Sequence, residues 1–159
     1  MSSPTTHLLT IAEAAEAYRA LLLASYPLHG YGTSSASVPC AGQEGACTQA
    51  QMAVGKAYWR AIAAAQGAVL AGLEAIPFPN AVAVQVRALR DAAGFAQCWS
   101  DAAANATTVE TLNAFAAEAA AARAARSEPE QLLKEALGLP AGDCGQGCVE
   151  SPAPSDGGP

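Results

Sequence analysis

The chain has 159 residues, of which 52% are hydrophobic, only 6% aromatic and 14% charged, and its formal net charge is −6. About a quarter of the residues are alanine, so the hydrophobic fraction overstates the apolar bulk. These figures exclude a cationic nucleic-acid-binding protein, because no basic stripe is present. They also exclude a transmembrane helix, which needs about 20 consecutive apolar residues, and the length fits one domain.

The first predicted element is a helix over about residues 10–26, preceded by a flexible segment over residues 1–9. Thr10 and Glu13 form a capping box, in which each side chain accepts a hydrogen bond from the other residue's backbone amide. Pro27 cannot continue a helix, so the helix should end just before it. The following Gly/Pro/Ser-rich stretch holds Cys40 and Cys47.

A second capping box at Thr48–Gln51 opens a helix predicted over about residues 48–75, and a proline-rich turn then leads to a third helix over about residues 80–104. Asn80 is its expected N-cap. The second helix carries one narrow stripe, which suits coiled-coil-like packing. That stripe consists of Met52, Gly55, Trp59, Ile62, Gln66, Val69 and Leu73.

The fourth helix is predicted over about residues 107–138, with Thr107 and Glu110 as its capping box. Its apolar register runs through Arg126 and survives Pro129, so a kinked continuous helix and a break both fit. Gly138 suits the left-handed position after a helix, and a Gly/Pro-rich flexible tail follows over residues 141–159. The four elements predict an all-α, antiparallel up-down four-helix bundle over residues 10–140, in which alanine allows close helix contact.

Four short motifs give the chain a resemblance to a known group. They are Ile76–Pro79, Val86–Leu89, Leu112–Ala114 and Leu137–Pro140, and the similarity covers about residues 8–140. In this respect the chain resembles the small alanine-rich lipoproteins and secreted proteins of actinobacteria. The resemblance implies a helical bundle outside the cytoplasm, with no agreed activity. The chain departs from that group in its cysteine-bearing loop and its Cys-Gly-Gln-Gly-Cys tail.

Five cysteines lie mostly in Gly/Pro-rich connections, a placement typical of disulfides in an oxidising compartment. In an antiparallel bundle Cys98 lies at the same end as the first loop, so we expect it to pair with Cys47 or Cys40. Cys144 and Cys148 pair with each other if the fourth helix is continuous; if it folds back at the proline, one of them reaches the loop. Because five is an odd number, at least one thiol is free or intermolecular.

The first residues lack the pattern of a signal peptide. Their Ser/Pro/Thr composition resembles the mature start of an exported protein with a methionine added in front, and a lipid anchor would then belong upstream. A cytoplasmic start is the alternative. We therefore expect a secreted or envelope-bound, extracytoplasmic protein.

The sequence predicts no catalytic, cofactor or metal site. No Gly-x-Ser-x-Gly element or phosphate-binding glycine loop is present. Cys144 and Cys148 could form a redox or metal pair, but zinc needs further ligands, and the two histidines, His7 and His29, are distant in sequence. A structural disulfide is the favoured interpretation of that pair.

Aromatic and polar side chains on the helix faces could wall a small-molecule pocket, although aromatics at helical spacing more often pack in a core. Gln66 and Arg126 are notable because they interrupt apolar stripes, where polar residues usually set the helix register. The predicted pocket residues are Tyr18, Trp59, Gln66, Phe95, Trp99, Phe115 and Arg126.

The leading functional hypothesis is a non-enzymatic structural or protein-interaction module, whose partner is an envelope protein. The first alternative is a binding protein for a small apolar ligand between the helices, and the second is a thiol redox or metal-binding protein. A roomy cavity of about 300 Å³ or more favours the ligand, whereas a solid core with an exposed apolar patch favours a protein partner.

Overall fold

The computed structural model describes residues 5–29 and 49–140, and the regular secondary structure of these ranges is all helical. The helices are α1 (Ile11–His29), α2 (Gln49–Ala75), α3 (Ala83–Ala104), α4 (Val109–Ala125) and α5 (Ser127–Ala136), and a 3₁₀ turn over Asn80–Val82 precedes α3. α1, α2, α3 and the α4–α5 pair pack together, which confirms the all-α, four-helix prediction. The predicted capping box at Thr48 and the predicted flexible tail lie outside the described residues.

Helix α1 begins where the sequence predicts but ends later. The Thr10 amide donates to Glu13 Oε2 at 2.9 Å, and the Glu13 amide donates to Thr10 Oγ1 at 3.2 Å, so the capping box is confirmed. Hydrogen bonds with the Thr10 backbone and, to a smaller extent, with the Thr10 side chain lower the pKa of the Glu13 carboxyl. The predicted end before Pro27 is wrong, because the helix continues to His29. A proline removes its own amide hydrogen bond and crowds the carbonyl one turn earlier, but Pro27 lies in the last turn of α1, so only one turn of the helix is affected.

The predicted starts of α3 and α4 are each displaced. Asn80 is not an N-cap: it opens the 3₁₀ turn, and Val82 precedes α3 without a side-chain cap. The capping box of α4 is formed by Thr108 and Thr111 rather than by Thr107 and Glu110. The Thr111 amide donates to Thr108 Oγ1 at 3.1 Å, and the Thr108 amide donates to Thr111 Oγ1 at 3.3 Å. The Thr111 hydroxyl thus accepts the backbone hydrogen bond that a glutamate carboxylate accepts in the commoner form of the capping box.

The fourth helix is divided at a single residue. Arg126 separates α4 from α5, yet its backbone stays helical, with φ −72° and ψ −21°. Pro129 lies in the first turn of α5. Amides of a first turn have no acceptor within their own helix, so the missing proline amide costs α5 no hydrogen bond. Both segments pack against α3, so the break does not fold the chain back on itself.

The end of α5 follows the prediction closely. Gly138 has a φ of +73°, a left-handed conformation that glycine adopts without a Cβ penalty. The Gly138 amide donates to the Glu135 carbonyl at 3.0 Å, and the Leu139 amide donates to the Lys134 carbonyl at 2.9 Å. This pair of bonds is the Schellman motif. Leu139 is then buried against the bundle.

The large buried side chains form two clusters at opposite halves of α3. The first cluster joins the start of α1, the end of α2, the start of α3 and α5; it includes Tyr18, Val69, Leu73, Val86, Leu89, Leu133 and Leu137. The second cluster joins the first half of α2, the end of α3 and α4; it includes Trp59, Ile62, Ala103, Ala104, Leu112 and Ala119.

Small residues bring the helices into close contact. Several alanines have no exposed surface at all, among them Ala14, Ala93, Ala96 and Ala119. At Gly72 of α2, an added Cβ would overlap the side chain of Leu21 on α1. Helix contact here therefore depends on the absence of side-chain volume, as the alanine content predicts.

Candidate functional site

A network of polar side chains lies where α4 meets α5; Gln66 and Lys134 are buried, and Arg126 and Glu130 are partly buried. Arg126 Nη1 donates to Gln66 Oε1 on α2 at 2.7 Å, and Arg126 Nη2 lies 3.3 Å from Glu130 Oε2. Lys134 Nζ lies 3.1 Å from Glu130 Oε1. Gln66 is only 2% exposed, and the Lys134 side chain only 9%. We call these four residues the buried polar network.

The buried polar network lies between the two apolar clusters. On α2, Gln66 stands between Ile62 of the second cluster and Val69 of the first. Its hydrogen bond to Arg126 joins α2 to the break in the fourth helix. Because charged hydrogen bonds need defined geometry, this arrangement favours one register of α2 against α4 and α5.

The sequence identified only half of this network. Gln66 and Arg126 were expected to set the helix register, and their mutual hydrogen bond agrees with that expectation. Glu130 and Lys134 were not singled out. The signal that could have found them is the spacing of four between Arg126, Glu130 and Lys134, which places oppositely charged groups on one helix face.

Tyr18 belongs to the first cluster and lies near the network. Its side chain is almost completely buried, and its ring packs edge-on against Phe78 with centroids 6.5 Å apart. Burial raises the pKa of the Tyr18 hydroxyl; the Glu130 carboxylate raises it further, and the Arg126 guanidinium opposes them. Tyr18 is therefore a neutral core residue.

Trp59 packs in the second cluster and is 1% exposed. Its ring lies edge-on to Tyr58 with centroids 4.9 Å apart, and the Tyr58 hydroxyl accepts a hydrogen bond from Arg123 Nη1 at 3.3 Å. Among the residues that the structure describes, no acceptor lies within hydrogen-bond distance of the buried Trp59 indole N–H. Such an unsatisfied donor costs about 1–3 kcal/mol, which the surrounding apolar contacts offset.

The remaining predicted aromatics form a row on the surface of α3 and α4. The Phe95 and Trp99 rings have centroids 6.2 Å apart and stand almost perpendicular, and the Trp99 and Phe115 centroids are 6.0 Å apart. Phe95 is 59% exposed, whereas Trp99 and Phe115 are half-buried against the second cluster. We call Phe95, Trp99 and Phe115 the aromatic patch.

The predicted pocket residues therefore belong to three different places: a buried polar network, the two apolar clusters and a surface patch. Among the cavities lined by described residues, one of about 250 Å³ and one of about 220 Å³ contain no residue of the predicted pocket in their lining. The larger lies between α2 and α3, and the smaller lies on α1 beside Glu16, Arg19, Ala20 and Leu23.

Cys98 is an exposed free thiol on α3. Its predicted disulfide is therefore not found, and the candidate partners Cys40 and Cys47 lie outside the described residues, as do Cys144 and Cys148. Within residues 5–29 and 49–140, no group of three or more His, Cys, Asp or Glu side chains could hold a metal ion.

Compared with protein families, with curated proteins and with solved structures, the chain matches none. The resemblance to actinobacterial lipoproteins stays a prediction. Among the described helices, none combines the length and hydrophobicity needed to cross a membrane.

The Arg126 interactions should contribute strongly to stability. Arg126→Met keeps an unbranched, apolar stem in place of the arginine stem but leaves the Gln66 oxygen without its donor and removes one cation from Glu130. We expect the free energy of unfolding to fall by about 2–4 kcal/mol, measured by urea denaturation. The matched control is Arg90→Met, which breaks an exposed ion pair with Glu74 and should cost at most about 1 kcal/mol. Equal losses in the two variants would contradict this role.

Tyr18 should make the fold sensitive to high pH. Its pKa is higher in the folded chain than in the unfolded chain, so the folded state holds this proton more tightly. That stabilisation is complete below the ordinary tyrosine pKa of about 10 and is lost as the pH rises above it. Urea midpoints measured across this range should fall more steeply in the wild type than in Tyr18→Phe. Parallel curves would show that Tyr18 ionises freely in the folded protein.

Proposed function

We propose that this protein is a non-enzymatic protein-interaction module and that the aromatic patch is its docking surface. The observation that carries the proposal is the exposure of Phe95, which is 59% accessible while its neighbour Trp99 anchors the row to the second cluster. Exposed aromatic side chains on a rigid support are typical of protein–protein contacts, in which they supply most of the binding energy. The support is rigid because α3 packs against both α2 and α4.

Unpaired carboxylates flank the aromatic patch. Asp91 lies one helical turn before Phe95, and Glu118 lies three residues after Phe115, so both are neighbours of the patch on the helix surface. Both are exposed, and within the described residues neither forms an ion pair. A partner segment with apolar and basic side chains is complementary to this surface. A second copy of this acidic chain would instead bring like charges together.

The internal packing supports a protein partner over a ligand held between the helices. Tyr18 and Trp59 pack inside apolar clusters, and Gln66 and Arg126 satisfy each other. The two described cavities are smaller than the roughly 300–1,000 Å³ typical of small-molecule pockets.

The topology and location of the module belong to the same proposal. We propose that the helices run antiparallel in an up-down order; the first cluster supports this, because it joins the end of α2 to the starts of α1 and α3.

We propose an extracytoplasmic, envelope-associated location, which the grouping of cysteines in loops supports. Counting free thiols in protein purified without reductant tests this location: paired loop and tail cysteines agree with it, and five free thiols would contradict it.

Binding of a short amphipathic helical peptide of leucine and lysine tests the docking surface. We expect Phe95→Ser to weaken its binding at least tenfold, measured by calorimetry, because truncating a central aromatic anchor costs about 2 kcal/mol or more. Val84→Ser is the matched control: Val84 lies on the same helix and is 73% exposed, but it is not part of the patch. Val84→Ser should change the affinity for the peptide less than twofold.

Two further measurements separate this surface from a general attraction of cations. A leucine–glutamate peptide of the same length should not bind, and Glu118→Gln should weaken the lysine peptide more than Glu128→Gln, which removes an exposed carboxylate on α5. Equal effects of Phe95→Ser and Val84→Ser would overturn the proposal. Because Phe95 is largely exposed, its substitution should change the free energy of unfolding by no more than about 0.5 kcal/mol.

A further inference from the structure

A groove distinct from the aromatic patch lies between the end of α2 and the start of α3. Its volume is about 250 Å³. Leu73 and Val86, which belong to the first apolar cluster, form its floor, and the half-buried Ile76 and Phe78 form its wall. The groove thus offers an apolar surface that is continuous with the core.

Several contacts fix the shape of this groove. The Phe78 amide donates to the Ile76 carbonyl at 2.9 Å, and the Leu9 amide donates to the Pro77 carbonyl at 2.9 Å. The Phe78 ring rests edge-on against the buried Tyr18. Pro77 restricts the backbone of the connection as well. A ligand that enters would therefore meet a surface that needs little ordering.

The charged side chains that line the groove, Glu74, Arg87 and Arg90, carry a net charge of +1. Arg90 Nη2 lies 3.1 Å from Glu74 Oε1, so this pair is neutral and joins α3 to α2 across the groove. Arg87, three residues earlier on α3, also lines the groove; it is exposed and forms no ion pair within the described residues. In a chain of net charge −6, this local excess of positive charge is distinctive.

We propose that the groove binds a small monocarboxylate with a short apolar chain. The apolar chain lies against Leu73, Phe78 and Val86, and the carboxylate receives hydrogen bonds from the Arg87 guanidinium. The planar guanidinium matches a carboxylate with two parallel N–H···O bonds. The proposal is independent of the aromatic patch, which lies elsewhere on α3 and on α4.

Charge and size select this class among anions. Arg90 is paired with Glu74, which leaves Arg87 as the cation of this rim without an ion pair among the described residues, so one carboxylate matches its charge and a phosphate dianion would leave its second negative charge without a partner. A cavity of about 250 Å³ falls below the usual range for drug-sized ligands, which favours a short chain over a long one.

Calorimetric titration with hexanoate tests the proposal on the full chain. We expect saturable binding at one site in the wild type. Arg87→Gln should weaken it at least tenfold, whereas Arg60→Gln, which removes an exposed arginine of α2 outside the groove, should leave it unchanged. Hexanamide, which has the same chain without the charge, should bind the wild type about as weakly as hexanoate binds Arg87→Gln.

A second variant tests the groove itself. Ala83 lines the groove and is exposed at the first turn of α3, so Ala83→Leu should fold normally and occupy the space of the apolar chain. We expect it to abolish hexanoate binding. Equal losses in Arg87→Gln and Arg60→Gln would reduce the effect to overall charge and overturn the proposal. Unchanged binding in Ala83→Leu, or no saturable binding in the wild type, would overturn it as well.

Discussion

Close contact between helices, permitted by buried alanine, is the constraint on which the rest of this structure depends. Alanines such as Ala93 and Ala119 have no exposed surface, and at Gly72 a methyl group would overlap the end of the Leu21 side chain on the facing helix. An alanine core buries little apolar area per residue, so the few large side chains must be concentrated where they pack best. They form two clusters, one toward each half of α3.

The buried polar network follows from that division. Between the two apolar clusters, an all-alanine interface would specify the helix register weakly, because small side chains interlock less than large ones. The bond from Arg126 to Gln66 and the two ion pairs of Glu130 supply directional contacts at that level. The break between α4 and α5 occurs at the same residue, Arg126, so its hydrogen bond to Gln66 ties this break to α2.

The helices packed in this way carry two distinct features on their surface. One is the aromatic patch, in which Phe95 is exposed, with the exposed carboxylates of Asp91 and Glu118 nearby on the helix surface. The connection between α2 and α3 leaves a second surface feature, a groove with Arg87 at its rim. Both features are built on the rigid α3, one near its middle and one near its start.

Capping residues and helix-ending glycines predicted most of the helices, because a helix end depends on residues that are neighbours in the sequence. The capping box at Thr10 and the left-handed Gly138 were each predicted within a few residues of sequence. The displaced cap at Thr108 shows the limit of such signals, since two adjacent threonines offer the same chemistry. The site was harder to predict: aromatics on helical stripes can face a core or solvent, and only the packing places Trp59 inside and Phe95 outside.

The most direct test of the central constraint compares two alanines of α4 that differ in burial. Ala119 is fully buried in the second cluster, and Ala117 is exposed two residues earlier. Both are replaced by leucine, which has nearly the same helix propensity as alanine, and the free energy of unfolding is measured by urea denaturation. Close contact predicts that Ala119→Leu loses about 1–3 kcal/mol or more, while Ala117→Leu changes by no more than about 0.5 kcal/mol. If Ala119→Leu is as stable as Ala117→Leu, or more stable than the wild type, the helices are not held at the distance that alanine sets.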